Sequence, residues 1–318
     1  MKVMAVPKRR HSNAVPSVWA VVISFRNEGS TQECVARILA STYVPVSVVI
    51  VDNTPATPGV RRIDSGGRTV VRLFIGSNVG FGPACNAGVR HALANGADFV
   101  ALVNNDVKVE TDTLEIMVEA MEARPEIGVM CPMVLRSAQP GTVENAGGAY
   151  NAWIGLSIYH GKGMSATELK DRIYEVGYVP GTMMMVRKDV FSDAGLMPEQ
   201  YFLYVEDIDF SVRARMRGHV LSCNTYAVVH HSLSTTSARY PGLKQYYMTR
   251  NTLIFARSQT ARAKLIVNVL SLPLMVSLRI FSNFREMGWL ELRGFVFGMI
   301  DGMKGRVGPS QRREYAPQ

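Results

Sequence analysis

Three short polar runs carry residue types suited to chemistry at a phosphate. Asn104-Asn105-Asp106 closes an apolar run that begins at Val100. Glu206-Asp207-x-Asp209 places three carboxylates between aromatic residues and a basic run from Arg213 to Arg217. His230-His231 ends a stretch that begins at Tyr226. A carboxylate past the carboxyl end of a strand can hold a hard divalent cation against phosphate oxygens, and an imidazole nearby can join it. Each run also has a structural alternative. Asn and Asp cap helices, acidic residues favour a first helical turn, and a histidine is more often structural than ligating.

The elements that must position these groups read as strands alternating with helices. Residues 18–24, 46–51, 70–75 and 97–103 are apolar runs of strand length, read as buried strands. Helices are expected over 30–40 with Ser30 as cap, over 83–94 with Pro83 in the first turn, and from 111 to about 123. A fifth strand falls at 127–131, a methionine-rich one at 183–186, and a last one at 226–231. This alternation predicts a doubly wound α/β layer with its site at the strands' carboxyl ends. Residues 132–176 read as an irregular insert able to shape an acceptor pocket. A dinucleotide-binding domain would need G-x-G-x-x-G straight after the first strand, where this chain has Ser24-Phe25-Arg26-Asn27-Glu28.

The 318 residues are 47% hydrophobic, enough for a sizeable core. The four cysteines, at 34, 85, 131 and 223, form no C-x-x-C pair and read as reduced core residues of a cytosolic protein. Residues 1–16 read as a disordered basic lead-in without the apolar core of a signal peptide. From Ser232 onward there are 13 Lys/Arg against 4 Asp/Glu, so the whole net charge of +9 lies in the C-terminal quarter. An anionic partner is expected there, a membrane surface or a nucleic acid.

The order of these motifs resembles family 2 glycosyltransferases of the GT-A fold, in particular the bacterial rhamnosyltransferase-like branch. The resemblance runs from about Val18 to Arg257. It rests on Ser24-Phe25, then Asp52, then Asn78-x-Gly80-Phe81-x-x-x-x-Asn86, then Asn104-Asn105-Asp106, Pro180-Gly181-Thr182, Glu206-Asp207-x-Asp209 and His231. It implies a catalytic domain over 17–235 and an inverting displacement from a UDP- or dTDP-activated sugar, with L-rhamnose leading. The implied acceptor is a cell-surface glycan or a lipid-linked one. It also implies that Ser24, Phe25, Arg26 and Asp52 hold the nucleoside. Gly80 and Asn86 would lie along the nucleotide and its diphosphate. Asn104-Asn105-Asp106 fills the family's D-x-D slot, with Asn104 where the family has Asp. Asp106 and His231 would hold Mg²⁺ or Mn²⁺, Asp207 would be the general base and Glu206 the fallback. Asp209 is expected to pair with an arginine.

Residues 236–318 are expected to be helical and to lie peripherally on the inner face of the cell membrane, or else to dimerise. The uncharged stretch 265–278 is too short to span a bilayer and is bracketed by cations. Three other classes compete. An inactive α/β binding protein would be free to lose Asp106, Asp207 or His231. A nucleic-acid binder would show a recognition signature that the basic C-terminus lacks. A nucleotidyltransferase would need a basic glycine-rich loop near the first strand.

Overall fold

The computed structural model describes residues 3–4, 15–151, 156–169, 172–232, 242–259, 288–312 and 314–315. Its centre is a parallel quartet of strands. β2 (Val18–Ser24) lies between β3 (Val46–Asp52) and β6 (Phe99–Asn104), and β3 continues to β5 (Val70–Phe74). The chain runs outward from β2 to β5 and returns on the other side at β6. The switch point therefore falls between β2 and β6, where Ile23 pairs with Asn104. A crevice opens at such a point because the flanking loops diverge.

Residues alternate along β2 because the sheet is covered on both faces. Trp19, Val21 and Ile23 pack under α2 (Phe81–Ala94). Val18, Ala20 and Val22 face α1 (Glu28–Leu39) and α3 (Thr113–Glu122). Gly88 lets α2 sit close to the sheet. A Cβ there would lie 2.2 Å from Val21 Cγ1 and 2.9 Å from Val51 Cγ2. All four cysteines are buried and free. The methionines of β13 (Met183–Arg187) are fully buried core filler, as expected.

The helix cap differs from expectation. Asn27, not Ser30, caps α1, its Oδ1 accepting from the Ser30 N–H at 3.4 Å. β4 (Gly59–Ile63), an exposed edge strand on β5, has no apolar alternation and was not anticipated. Within the stretch read as an irregular insert, the described residues include several short strands. β8 (Ile127–Arg136) runs longer than expected and pairs with β9 (Val143–Asn145), and β10 (Gly148–Asn151) forms a hairpin with β11 (Leu156–Tyr159). β12 (Ile173–Glu175) pairs with β14 (Val220–His231). Short strands with glycine turns give no run long enough to show a period in sequence. Within the N-terminal lead-in, Val3–Met4 forms a two-residue strand, β1, against β12.

β13 pairs antiparallel with both β6 and β8, and β14 runs parallel to β8, so the sheet is mixed. β7 (Val107–Val109) pairs with the end of β14 and sets His231 opposite Val107. At the C-terminus, α7 (Leu243–Gln259) and α8 (Trp289–Met303) cross closely. A Cβ at Gly294 would lie 2.2 Å from the Gly242 carbonyl, and one at Gly298 2.4 Å from the Tyr246 carbonyl. Among the described residues, no helix is long and apolar enough to cross a membrane. The stretch 265–278 lies outside the described residues.

Gly88 and Gly29 should respond oppositely to alanine. Gly88→Ala should cost about 1–3 kcal/mol in urea unfolding through overpacking. Gly29→Ala, in α1 with nothing within 4 Å of the new Cβ, should stabilise by about 0.5 kcal/mol.

Candidate active site

The site is assembled at the carboxyl end of β6. On one side β13 delivers Pro180-Gly181-Thr182, because the Asn104 N–H donates to the Thr182 carbonyl at 3.1 Å. On the other side β7 and β14 bring His231 to Asp106, with Nε2 3.2 Å from Oδ1. Both atoms are buried, and beyond this contact neither has a hydrogen-bond partner among the described residues. At this distance the two form an ion pair when His231 is protonated, and a cation bound there would take the proton's place. A carboxylate oxygen and an imidazole nitrogen are a donor set that a divalent cation accepts. Among the described residues, no group of three His, Cys, Asp or Glu converges on one point.

Glu144 of β9 completes this corner and was not foreseen. Both its carboxylate oxygens lie 2.9 Å from His231 Nδ1. It therefore holds the ring with Nε2 facing Asp106. Burial works to lower the His231 pKa, but the Asp106 and Glu144 carboxylates outweigh it and lift it to about 9. His230 points elsewhere, to Glu110 at 3.2 Å. Glu144 sits in the insert, where no pattern in the sequence marks it.

Asp207 stands on the β13 side. The Gly181 N–H donates to its Oδ2 at 2.9 Å and the Ile208 N–H to its Oδ1 at 2.9 Å. Burial raises its pKa, and those backbone N–H groups pull it back. Tyr159 and Tyr178 flank it, their ring centroids 6.2 Å apart, and the Asp207 charge adds to burial in raising both phenols. Glu206 is different in kind. It is buried, its Oε2 has no partner, and burial, then the neighbouring Asp207 carboxylate, push its pKa to about 8. At neutral pH Glu206 is largely protonated and cannot accept a proton. Asp209 is structural as expected, bound by Arg213 Nε at 2.8 Å and Tyr201 Oη at 2.6 Å.

The loop leading into this pair is strained. Phe202, Tyr204 and Val205 all have positive φ, at 67°, 67° and 78°. Such a conformation costs on the order of 1–3 kcal/mol per non-glycine residue. Gly80 is required beside this loop, since a Cβ there would lie 2.4 Å from the Phe202 carbonyl, which instead accepts from the Phe81 N–H at 2.7 Å.

The residues expected to hold the nucleoside divide. Asp52 is bound at Oδ2 by Arg72 Nη2 at 2.6 Å, and Arg72 also reaches Glu28 at 2.6 Å. Arg72, unmarked in sequence, thus reaches from the middle of β5 to Asp52 at the carboxyl end of β3. Phe25 lies beneath the Arg26 guanidinium at 5.4 Å, and Arg26 has φ 50°. Ser24 and Asn105 turn inward to Thr31, whose own hydroxyl donates to the Asn27 carbonyl, so both donate to it, at 2.9 and 3.0 Å. The Asn104 carbonyl accepts from Cys34 Sγ at 3.6 Å. Asn86 is a correction. Its amide is wholly committed to the Met197 backbone and Glu199, at 2.8–2.9 Å, so it pins residues 197–199 to α2 and has no group left for a diphosphate. An asparagine near a helix start does not reveal in sequence which way its amide points. Asn53 binds the 78–80 loop instead, through Asn78 Oδ1 at 3.1 Å and the Gly80 carbonyl at 3.2 Å.

A strand switch point, an acid–imidazole pair and a second carboxylate on an adjoining loop are the framework of a sugar-nucleotide transferase of the GT-A fold. Residues 20–195 match the model of the family described as Glycosyl transferase family 2, and the chain belongs to that family. It is a glycosyltransferase. It is 25% identical over 264 residues to the N-acetylglucosaminyl-diphospho-decaprenol L-rhamnosyltransferase of Mycobacterium tuberculosis, covering 74% of this chain and 82% of that one. Among solved structures it resembles the mannosyltransferase PcManGT of Pyrobaculum calidifontis in complex with GDP-Man and Mn²⁺. That match has TM-score 0.55 and 14% identity, and covers 96% of this chain and 90% of that one. It also resembles GalNAc-T7 with UDP, GalNAc and Mn²⁺, at TM-score 0.54 and 14% identity, covering 80% of this chain but only 55% of that one.

Glu206 yields a pH signature. Its folded pKa of about 8 lies above the ordinary 4.5. Its stabilising contribution is therefore full below pH 4.5 and falls away as pH rises through 8. Glu206→Gln should match the wild type in stability at pH 4 and exceed it by pH 8.5, by an amount on the order of a few kcal/mol. Parallel unfolding curves at both pH values are the check.

Proposed function

We propose that this glycosyltransferase moves a hexose, with L-rhamnose the first candidate, from a UDP- or dTDP-activated donor to a hydroxyl of a cell-surface or lipid-linked glycan, with inversion. The observation that carries the reading is the separation of roles. Asp106 Oδ1 and His231 Nε2 face each other at 3.2 Å with no other partner, while Asp207 is held by backbone N–H groups on the neighbouring loop. The M. tuberculosis relative, named for L-rhamnosyl transfer to a diphospho-decaprenol-linked sugar, supports the sugar and acceptor class.

Asp106 and His231 would hold Mg²⁺ or Mn²⁺, leaving the rest of its shell to the donor diphosphate. Bound there, the cation would stabilise charge on the departing nucleoside diphosphate. Glu144 holds the His231 ring with Nε2 toward Asp106. Asp52, Arg72 and the Phe25-Arg26 edge bind the nucleoside. Asp207 takes the proton of the acceptor hydroxyl as it attacks, and protonated Glu206 leaves Asp207 as the ionised member of the pair. Tyr159 and Tyr178 offer faces for an acceptor sugar.

The C-terminal helices attach the enzyme to an anionic membrane surface. Trp289, Val296 and Met303, spaced by sevens on α8, are exposed by 74%, 41% and 45%. Not all the basic surplus is available for this. Arg250 is buried, and Arg306 and Arg312 bind Asp301.

A panel of sugar nucleotides incubated with Mn²⁺ should show diphosphate release from a UDP- or dTDP-hexose, and release only from a purine-nucleotide sugar would overturn the donor assignment. Asp207→Asn should lower turnover by about 10²–10⁴-fold with UDP binding retained, whereas Asp106→Asn should abolish the Mn²⁺ dependence of UDP binding. Parallel loss of UDP affinity in Asp207→Asn would make it a binding residue. For the membrane, sedimentation with vesicles containing anionic lipid should carry down the wild type at low salt and less of a Trp289→Ser/Val296→Ser variant. Equal recovery in the supernatant, with a dimer by light scattering, would favour a subunit interface.

A further inference from the structure

The run Tyr246-Tyr247-x-x-Arg250-Asn251 plays no part in the proposed donor binding, yet it holds two deeply buried polar side chains. Arg250 is 1% exposed and Asn251 is 0%. Helix packing or membrane contact does not require these residues. Their partners explain them better. Asn251 Nδ2 donates to the carbonyls of Tyr201, Leu203 and Tyr204, at 3.0, 2.7 and 3.0 Å. Two N–H groups therefore serve three carbonyls of one loop. Arg250 Nη2 donates to the Tyr201 carbonyl at 2.8 Å and Nη1 to the Gly308 carbonyl at 2.7 Å. Arg250 Nε donates to Asn251 Oδ1 at 2.9 Å, which fixes the amide's orientation. The guanidinium lies over the Tyr247 ring at 4.7 Å and the Tyr246 ring at 5.6 Å.

The loop so held is the left-handed one. With Phe81 N–H on the Phe202 carbonyl, every carbonyl from 201 to 204 is captured from outside the loop. Residue 205, still at positive φ, is the cap of α6 (Glu206–Met216), and Asp207 follows two residues later. A turn in this conformation relaxes when its external bonds are removed. Phe255, one helical turn beyond Asn251, packs with Tyr201, Val205 and Ile208 in a shared cluster.

We propose that Arg250 and Asn251 are positioning residues for sugar transfer, holding the 201–205 turn in the conformation that aims Asp207. This rests on Asp207 being the base. The C-terminal helix is thereby a part of the active site's support and not only an appendage.

The test uses the full chain. Asn251→Ala should lower turnover by about 100-fold, the scale of a displaced catalytic group, while the affinity for UDP with Mn²⁺ changes less than about 3-fold. Hydrogen exchange should speed up at residues 201–208 and stay unchanged in the 18–24 strand. Arg250→Lys keeps the charge and one donor, so it serves if Asn251→Ala does not fold. It should turn over more slowly than the wild type, with UDP affinity kept. Wild-type turnover in either folded variant would overturn the proposal, as would equal loss of turnover and UDP affinity. If the wild type itself acts on no sugar nucleotide, the functional reading has failed. Exchange at 201–208 then decides the clamp alone: faster in Asn251→Ala supports it, and unchanged overturns it.

Discussion

Strand β6 is held between a parallel neighbour and an antiparallel one, and the site depends on that pairing. Its register against β2 opens the crevice at the switch point, and its register against β13 places Gly181 beside the Asn104 end. Asp106 and the anchor for Asp207 are thus fixed by the same strand, from its two sides. Buried strand pairs resist slippage, because a one-residue shift would turn an entire apolar face outward. The site therefore inherits its geometry from buried strands paired on both sides.

What the sheet does not fix, the C-terminal helices do. α7 and α8 approach closely through small residues, so α7 forms a firm base for the polar side chains it extends toward the 201–205 turn. Tyr246 donates to Asp301 of α8 at 2.9 Å, and Tyr247 Oη bonds the Tyr315 carbonyl at 2.9 Å, tying the chain's end to the same place. A strained turn next to a catalytic carboxylate is a common way to pre-organise a site, and it persists only where surrounding bonds over-determine it.

Much of this was legible in the sequence. Apolar runs of strand length ending in Asn104-Asn105-Asp106, in Asp52 and in His231 marked the sheet and its carboxyl edge, because burial on both faces leaves a continuous apolar signature. The pairing of Asp106 with His231 was implied by the family resemblance, and the two side chains do meet. Other parts were not legible, for definite reasons. β4 is an exposed edge with no apolar pattern, and β9 to β12 are too short to show a period. Glu144 and Arg72 act through contacts between elements distant in sequence. Asn86 carries the right residue type but points its amide at Met197 and Glu199. Side-chain direction of that kind is set by tertiary packing and leaves no trace in spacing.

A single base opposite a stabilised leaving group has one stereochemical consequence. In the proposed mechanism Asp207 activates the acceptor hydroxyl for direct attack, so the new bond forms on the face away from the departing nucleoside diphosphate. Proton NMR of the isolated product, read at the anomeric carbon against the donor, measures this directly. The account predicts the opposite anomeric configuration in the product. Retention would contradict it.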